Sequence, residues 1–198
     1  MPVRPRYRLR LKRRPASPDP ESVETDLANI DPLPFLVKKR RVGEVRAALG
    51  GGSITLHARL EDRRAADWPR EHEGWNGPLF GLLAAPSSAE NADDVDQVVL
   101  FPHGNDGGTA WCFQGPDQGE TPTDLQWKAQ PDGKTAWTVS AIIPLRILGL
   151  VPDVESFRIE AMANLLIGDS DAPRLITLFG SQTARLELET LAHARATG

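Results

Sequence analysis

Short apolar runs that alternate with polar residues, each closed by glycine or proline, limit what this chain can fold into. Tyr7, Leu9 and Leu11 alternate with Arg8, Arg10 and Lys12 until Pro15-Ala-Ser-Pro-Asp-Pro20 stops the pattern. A period of two puts successive side chains on opposite faces of a strand. Val45, Ala47 and Leu49, then Ile54, Leu56, Ala58 and Leu60, flank Gly50-Gly-Gly52 and read as a β-hairpin. Pro78–Ala84, Val95–Phe101 and Thr109–Phe113 are apolar runs of strand length. Leu125–Gln130 and Ala136–Ile143 bracket Pro131-Asp-Gly133, a turn signal. Phe157–Leu165, Arg174–Phe179 and Ala184–Leu188 complete the series. The 17 Gly and 17 Pro leave no stretch for a long helix. The expectation is an all-β, two-sheet antiparallel β-sandwich of jelly-roll or immunoglobulin-like type, with about ten or eleven strands and little helix. One domain spans residues 1–198: residues 1–22 are a basic strand and Pro-rich linker, and residues 189–198 a C-terminal tail or frayed helix.

Charge is unevenly spread. The first 46 residues hold 12 Lys/Arg against 6 Asp/Glu, and the rest hold 11 against 21, for a net charge of −4. The basic excess comes from Arg4–Arg14 and from the run Lys38, Lys39, Arg40, Arg41. Such a run is usually a solvated face, though it could dock a protein partner. Nucleic acid is not indicated, because the basic residues are not interleaved with aromatic ones. No apolar run reaches the length of a membrane helix, and no membrane partner is indicated. Met1–Arg14 has charge but no apolar core or small-residue cleavage site, so it does not read as a signal peptide. Localisation stays open between the cytoplasm and export by a signal outside this chain. The one cysteine, Cys112, lies in the aromatic run Trp111-Cys-Phe113 and reads as a core thiol.

Catalytic patterns are missing. There is no G-x-S-x-G elbow, phosphate-binding loop or dinucleotide fingerprint, so a non-enzyme is expected. His57, His72, His103 and His193 form no H-x-x-x-H pair. Asp93, Asp94 and Asp96, with Asn105 and Asp106, gather hard oxygen ligands, which leaves a structural calcium open and no other cofactor expected. Glu61-Asp62 and Asp67/Glu71/Glu73 could flank a sugar bond, but nothing in the sequence sets their separation.

Five tryptophans against one tyrosine is an unusual ratio. Trp137 alternates with core positions, Trp127 could face the core, and Trp111 is ambiguous. Trp68 and Trp75 stand apart, in the polar, turn-rich segment Asp67-Trp-Pro-Arg-Glu-His-Glu-Gly-Trp-Asn-Gly77. An indole in a loop either caps the core or offers a flat face to the C–H side of a sugar, with loop carboxylates and amides at the hydroxyls.

Three stretches carry a family resemblance: Ser53-Ile-Thr-Leu-His-Ala-Arg-Leu-Glu-Asp62, Gly74-Trp-Asn-Gly-Pro-Leu-Phe-Gly-Leu-Leu83 and Ala136-Trp-Thr-Val-Ser-Ala-Ile-Ile-Pro-Leu-Arg-Ile-Leu-Gly149. Over roughly residues 40–190 the chain resembles the family 9 carbohydrate-binding modules and their wider DOMON-like β-sandwich superfamily. The resemblance implies a non-catalytic module that stacks a sugar on Trp75. Trp68, Asp67, Glu71, His72, Glu73, Asn76 and Phe179 are its further candidate carbohydrate-binding residues. It also shows departures. Pro78 and Gly81 stand at the family's acidic positions, and Ser140 stands for a glutamate. No tryptophan follows Trp137, so Phe179 is the nearest stand-in for the second half of the stacking clamp. Two alternatives follow from the same superfamily. One is a haem-binding sandwich using Met162 with His57 or His103. The other is a protein-docking sandwich that has lost sugar binding.

Overall fold

The computed structural model describes residues 8–15, 17–104, 108–113, 118–119, 122–169, 171–179 and 191–197. Among these, twelve strands form: β1 (Arg8–Lys12), β2 (Leu33–Val37), β3 (Arg40–Gly50), β4 (Ser53–Glu61), β5 (Leu79–Pro86), β6 (Asp96–Pro102), β7 (Gly108–Phe113), β8 (Gln126–Pro131), β9 (Ala136–Pro144), β10 (Ser156–Leu165), β11 (Arg174–Thr177) and β12 (Ala192–Thr197). One short helix, α1 (Val23–Asp26), precedes β2. A seven-stranded sheet runs β1-β12-β10-β5-β6-β7, with β11 also on β10, and a five-stranded sheet runs β2-β3-β4-β9-β8. All pairings are antiparallel except β1 with β12. The expected two-sheet sandwich is thus the observed architecture.

Alternation builds the core. Ile54, Leu56, Ala58 and Leu60 of β4 meet Phe80, Leu82 and Ala84 of β5 and Phe157, Ile159, Ala161 and Ala163 of β10 in one buried cluster. Trp137 and Phe35 are fully buried within it, and Phe35 meets Phe80 edge-on at 6.5 Å. Cys112 is buried in the same cluster. Trp127 is half-buried and packs against it.

Strand pairing accounts for both the basic run and the C-terminal segment. The run Lys38–Arg41 is exposed throughout, as a solvated basic face implies. Lys38 and Lys39 form the tight turn between β2 and β3, at φ 49° and 71°, and Arg40 opens β3. The left-handed backbone is uncommon for residues with a Cβ, and strand pairing on both sides imposes it. The C-terminal segment is not a frayed helix: Ala192–Thr197 is β12, held between β1 and β10. Its alanines favour helix locally, and pairing on both edges overrides that preference. The predicted strand Ala184–Leu188 lies outside the described residues.

Each sheet has a second, outward face. On the five-stranded sheet, Ala48 and Ile142 are covered by Val23 and Leu27 of the α1 segment, with Ile30 at the margin. The Arg46 guanidinium fastens this cover by donating to the Ile30 carbonyl at 3.1 Å. On the seven-stranded sheet, Leu79, Leu83, Val99, Phe101 and Met162 form a separate apolar cluster, with Phe113 packed at its edge.

Candidate functional site

The segment carrying Trp75 is held from beneath by a buried polar network. Asp62 follows β4 and caps the short 3-10 turn Arg63–Asp67, its carboxylate accepting from the Arg64 backbone N–H at 2.9 Å. The Arg64 guanidinium donates to the same carboxylate at 2.7 Å, and the Trp137 indole N–H lies 3.4 Å from it. Side-chain exposure in this ion pair is 13% for Arg64 and 0% for Asp62. Water is therefore largely excluded, and each charge depends on the other. Arg64 also donates to the carbonyls of Asn76 and Asn164, each at 2.6 Å. The Asn164 amide donates to the carbonyls of Trp75 at 2.8 Å and Gly77 at 3.0 Å. Three consecutive carbonyls, Trp75, Asn76 and Gly77, are thus pinned by two side chains of the scaffold. Gly74 turns the chain at φ +58°, a conformation that glycine adopts without strain.

Above this clamp the Trp75 ring is 52% exposed. It stands edge-on to Phe101 at 5.6 Å and tilted against Phe113 at 5.7 Å. Asp67, Glu71, His72, Glu73 and Asn76 are all exposed. His72 meets Phe101 edge-on at 4.8 Å and lies 5.8 Å from His103. His103 in turn bonds the Thr109 hydroxyl at 2.9 Å. Trp68 turns the other way: its indole N–H donates to the Gly104 carbonyl at 3.1 Å, and its ring packs on Trp137 at 6.0 Å and on the main core. It closes the end of the sandwich. Phe179 is half-buried against the main core, and its backbone N–H donates to Glu160 at 2.9 Å. Neither ring contact of Trp75 is to Phe179.

The resemblance sets an acidic residue at position 81, where this chain has glycine. A Cβ at Gly81 would come within 2.6 Å of the Met162 methyl group, so Met162 fills the space that an acidic side chain would occupy. Met162 is buried, with the Gln97 amide 3.8 Å from its sulfur, on the seven-stranded sheet. His57 is on the five-stranded sheet, buried beneath α1 and bonded to the Ser140 hydroxyl at 3.0 Å. Burial holds its pKa below the ordinary value of 6.5, an effect opposed by Glu24 and reinforced by Arg46 and Lys128. Among the described residues no group of three or more His, Cys, Asp or Glu could hold a metal. Asn105 and Asp106 lie outside them. Asp94 instead accepts from the backbone N–H groups of Glu90 and Asn91, each at 3.0 Å, and these bonds lower its pKa. Asp96 packs against Gly149, and desolvation raises its pKa.

Sequence reasoning missed Asn164, Arg64 and the scaffold role of Asp62, because polar residues on different elements carry no spacing signal. It also left Trp111 unplaced. Trp111 is 43% exposed on β7 and lies 6.2 Å from Phe113. Ala110 and Cys112 of the same strand face the core, and because both faces of β7 are apolar the alternation gives no sign of which one is outward.

The molecule is therefore a two-sheet β-sandwich with an aromatic outer surface. Its fold is that of the family 9 carbohydrate-binding modules. It superposes on a protein from Bacteroides uniformis ATCC 8492, to which carbohydrate binding is provisionally ascribed, with a TM-score of 0.70 at 14% identity, covering 97% of this chain and 100% of that one. A family 9 module from Caldicellulosiruptor kristjanssonii in complex with cellotriose gives 0.69 at 11%, covering 96% and 94%. One from the same organism with glucose gives 0.65 at 14%, covering 96% of each. No family model matches the sequence, and no curated protein matches it.

Proposed function

We propose that this chain is a non-catalytic carbohydrate-binding module that stacks a sugar ring on Trp75. The observation that carries the proposal is the half-exposed indole on a loop whose carbonyls are clamped by Arg64 and Asn164. A binding platform held in place before the ligand arrives loses little ordering entropy on binding. An indole face suits the C–H side of a pyranose, and the exposed Asp67, Glu71, His72, Glu73 and Asn76 supply hydrogen-bonding groups around it. The structural neighbours with bound cellotriose and glucose support a glycan as the ligand class. The test is a calorimetric titration of wild type and Trp75→Ala with glucose, cello-oligosaccharides and xylo-oligosaccharides, with and without calcium. Saturable binding that falls at least about tenfold in Trp75→Ala is expected. Equal affinity in the two proteins would place the site elsewhere, and no binding across the panel would overturn the function.

A further inference from the structure

We infer that the module binds along the face of a β-linked glycan chain, on a tilted row of rings formed by Trp75, Phe113 and Trp111, rather than gripping a single terminal sugar. The inference rests on the sugar-binding reading of Trp75 and extends it to a ligand class and a second indole. Of the five tryptophans, Trp137 is buried and Trp68 and Trp127 are half-buried. Trp75 and Trp111 are the two that stand exposed. Both lie on the outward side of the seven-stranded sheet, and both touch the same ring: Phe113 is 5.7 Å from Trp75 and 6.2 Å from Trp111. Each indole contacts that phenyl ring and neither makes a ring contact with the other, so each offers its own stacking face. Successive sugars of one chain would cover them.

The geometry also favours an open row over a clamp. The ring contacts of Trp75 are with Phe101 and Phe113, both on strands beneath it, and no ring among the described residues closes over it. At the other end Trp111 is on β7, the outermost strand of the described sheet. The three rings are not coplanar: Phe113 is inclined 48° to Trp75 and 38° to Trp111. A flat crystalline surface would need coplanar rings. A single β-1,4-linked chain, whose equatorial linkages make a ribbon with C–H-rich faces, can twist to follow inclined ones. The polar groups are asymmetric. His72, Glu73 and Asn76 are near Trp75, whereas the nearby Thr109 hydroxyl is already engaged by His103. Recognition is therefore concentrated at Trp75, and Trp111 adds stacking with chain length.

The test titrates glucose, cellotriose and cellohexaose into wild type, Trp111→Ala, Trp111→Phe and Trp75→Ala, with maltohexaose as the α-linked control. Thermal melts establish that each variant is folded. Wild-type affinity is expected to rise from glucose to cellohexaose, with maltohexaose well below cellohexaose. Trp111→Ala should lose about tenfold on cellohexaose and little on glucose, and Trp111→Phe should recover most of that loss. Two results would sink the inference and leave the Trp75 reading standing: an affinity independent of chain length, or cellohexaose binding unchanged in Trp111→Ala. Absence of binding by wild type to every sugar would remove both.

Discussion

The outward faces of the two sheets are both apolar at their centres, yet the chain treats them in opposite ways. On the five-stranded sheet, α1 and its flanks lie over Ala48 and Ile142, and Arg46 ties the cover down through the Ile30 carbonyl. A buried histidine and serine satisfy each other beneath it. On the seven-stranded sheet, the cluster around Val99 and Phe101 continues outward into Trp75 and Trp111, which stay half in water. An exposed apolar surface marks a binding site more often than an accident of packing. The difference teaches that binding surface and core cover can be made from the same period-two strands. What separates them is whether the chain spends a further segment on closing the face.

The largest effect expected from breaking this contrast lies beneath the open face. Arg64→Ala leaves the fully buried Asp62 carboxylate without its partner and should destabilise the fold by about 3–5 kcal/mol in urea unfolding. It should also weaken sugar binding, because the Asn76 and Asn164 carbonyls lose their donor. A loss below about 1 kcal/mol would show that the clamp does not hold the Trp75 loop. The covered face should respond next. Leu27→Ala removes a fully buried side chain from the α1 cover and should lower stability by about 2–3 kcal/mol, with increased binding of an apolar dye and unchanged sugar affinity. If sugar affinity fell as much as stability, the two faces would not be independent.

The smallest effect is a pH dependence confined to the covered face. His57 has a folded pKa below 6.5, so on acidification the unfolded chain takes up the proton first. Stability is full above about pH 6.5 and is lost as pH falls through that value toward the folded pKa. The groups facing His57 are Glu24 on α1, Arg46 on β3, Lys128 on β8 and Ser140 on β9. Unfolding midpoints from pH 7.5 to 5 should fall less steeply in His57→Gln than in wild type. Parallel slopes would mean that other groups govern the acid limb.

The sandwich was legible wherever one strand face is apolar and the other polar. Ile54–Leu60 and Trp137–Ile143 show this clearly, and they are central partners in the five-stranded sheet. Legibility failed where that contrast fades. β12 alternates alanine with His193, Arg195 and Thr197, so its inward side carries little hydrophobic signal. Trp111 and Phe113 face outward on a strand that is apolar on both sides, and alternation cannot say which apolar side meets the core. The candidate loop was visible in its two tryptophans and its carboxylates. Their opposite orientations were not, because Trp68 turns inward to a carbonyl, Gly104, contributed by the distant turn after β6. Contacts between residues far apart in the chain leave no local pattern to read.

The parallel pairing of β1 with β12 has a kinetic consequence. Arg8 pairs with His193 and Lys12 with Thr197, so this contact joins segments separated by almost the whole described chain. Closing so long a loop is entropically unfavourable until the intervening sheets have formed. β1 should therefore be the last strand to zip and the first to peel away. It leads directly, through the Arg14 amide bonded to the Leu49 carbonyl, into the segment that covers the five-stranded sheet. Local opening at β1 would loosen that cover while leaving the β5–β6–β7 side intact. Hydrogen exchange would then divide the molecule into a fast-exchanging cover and a slow aromatic surface.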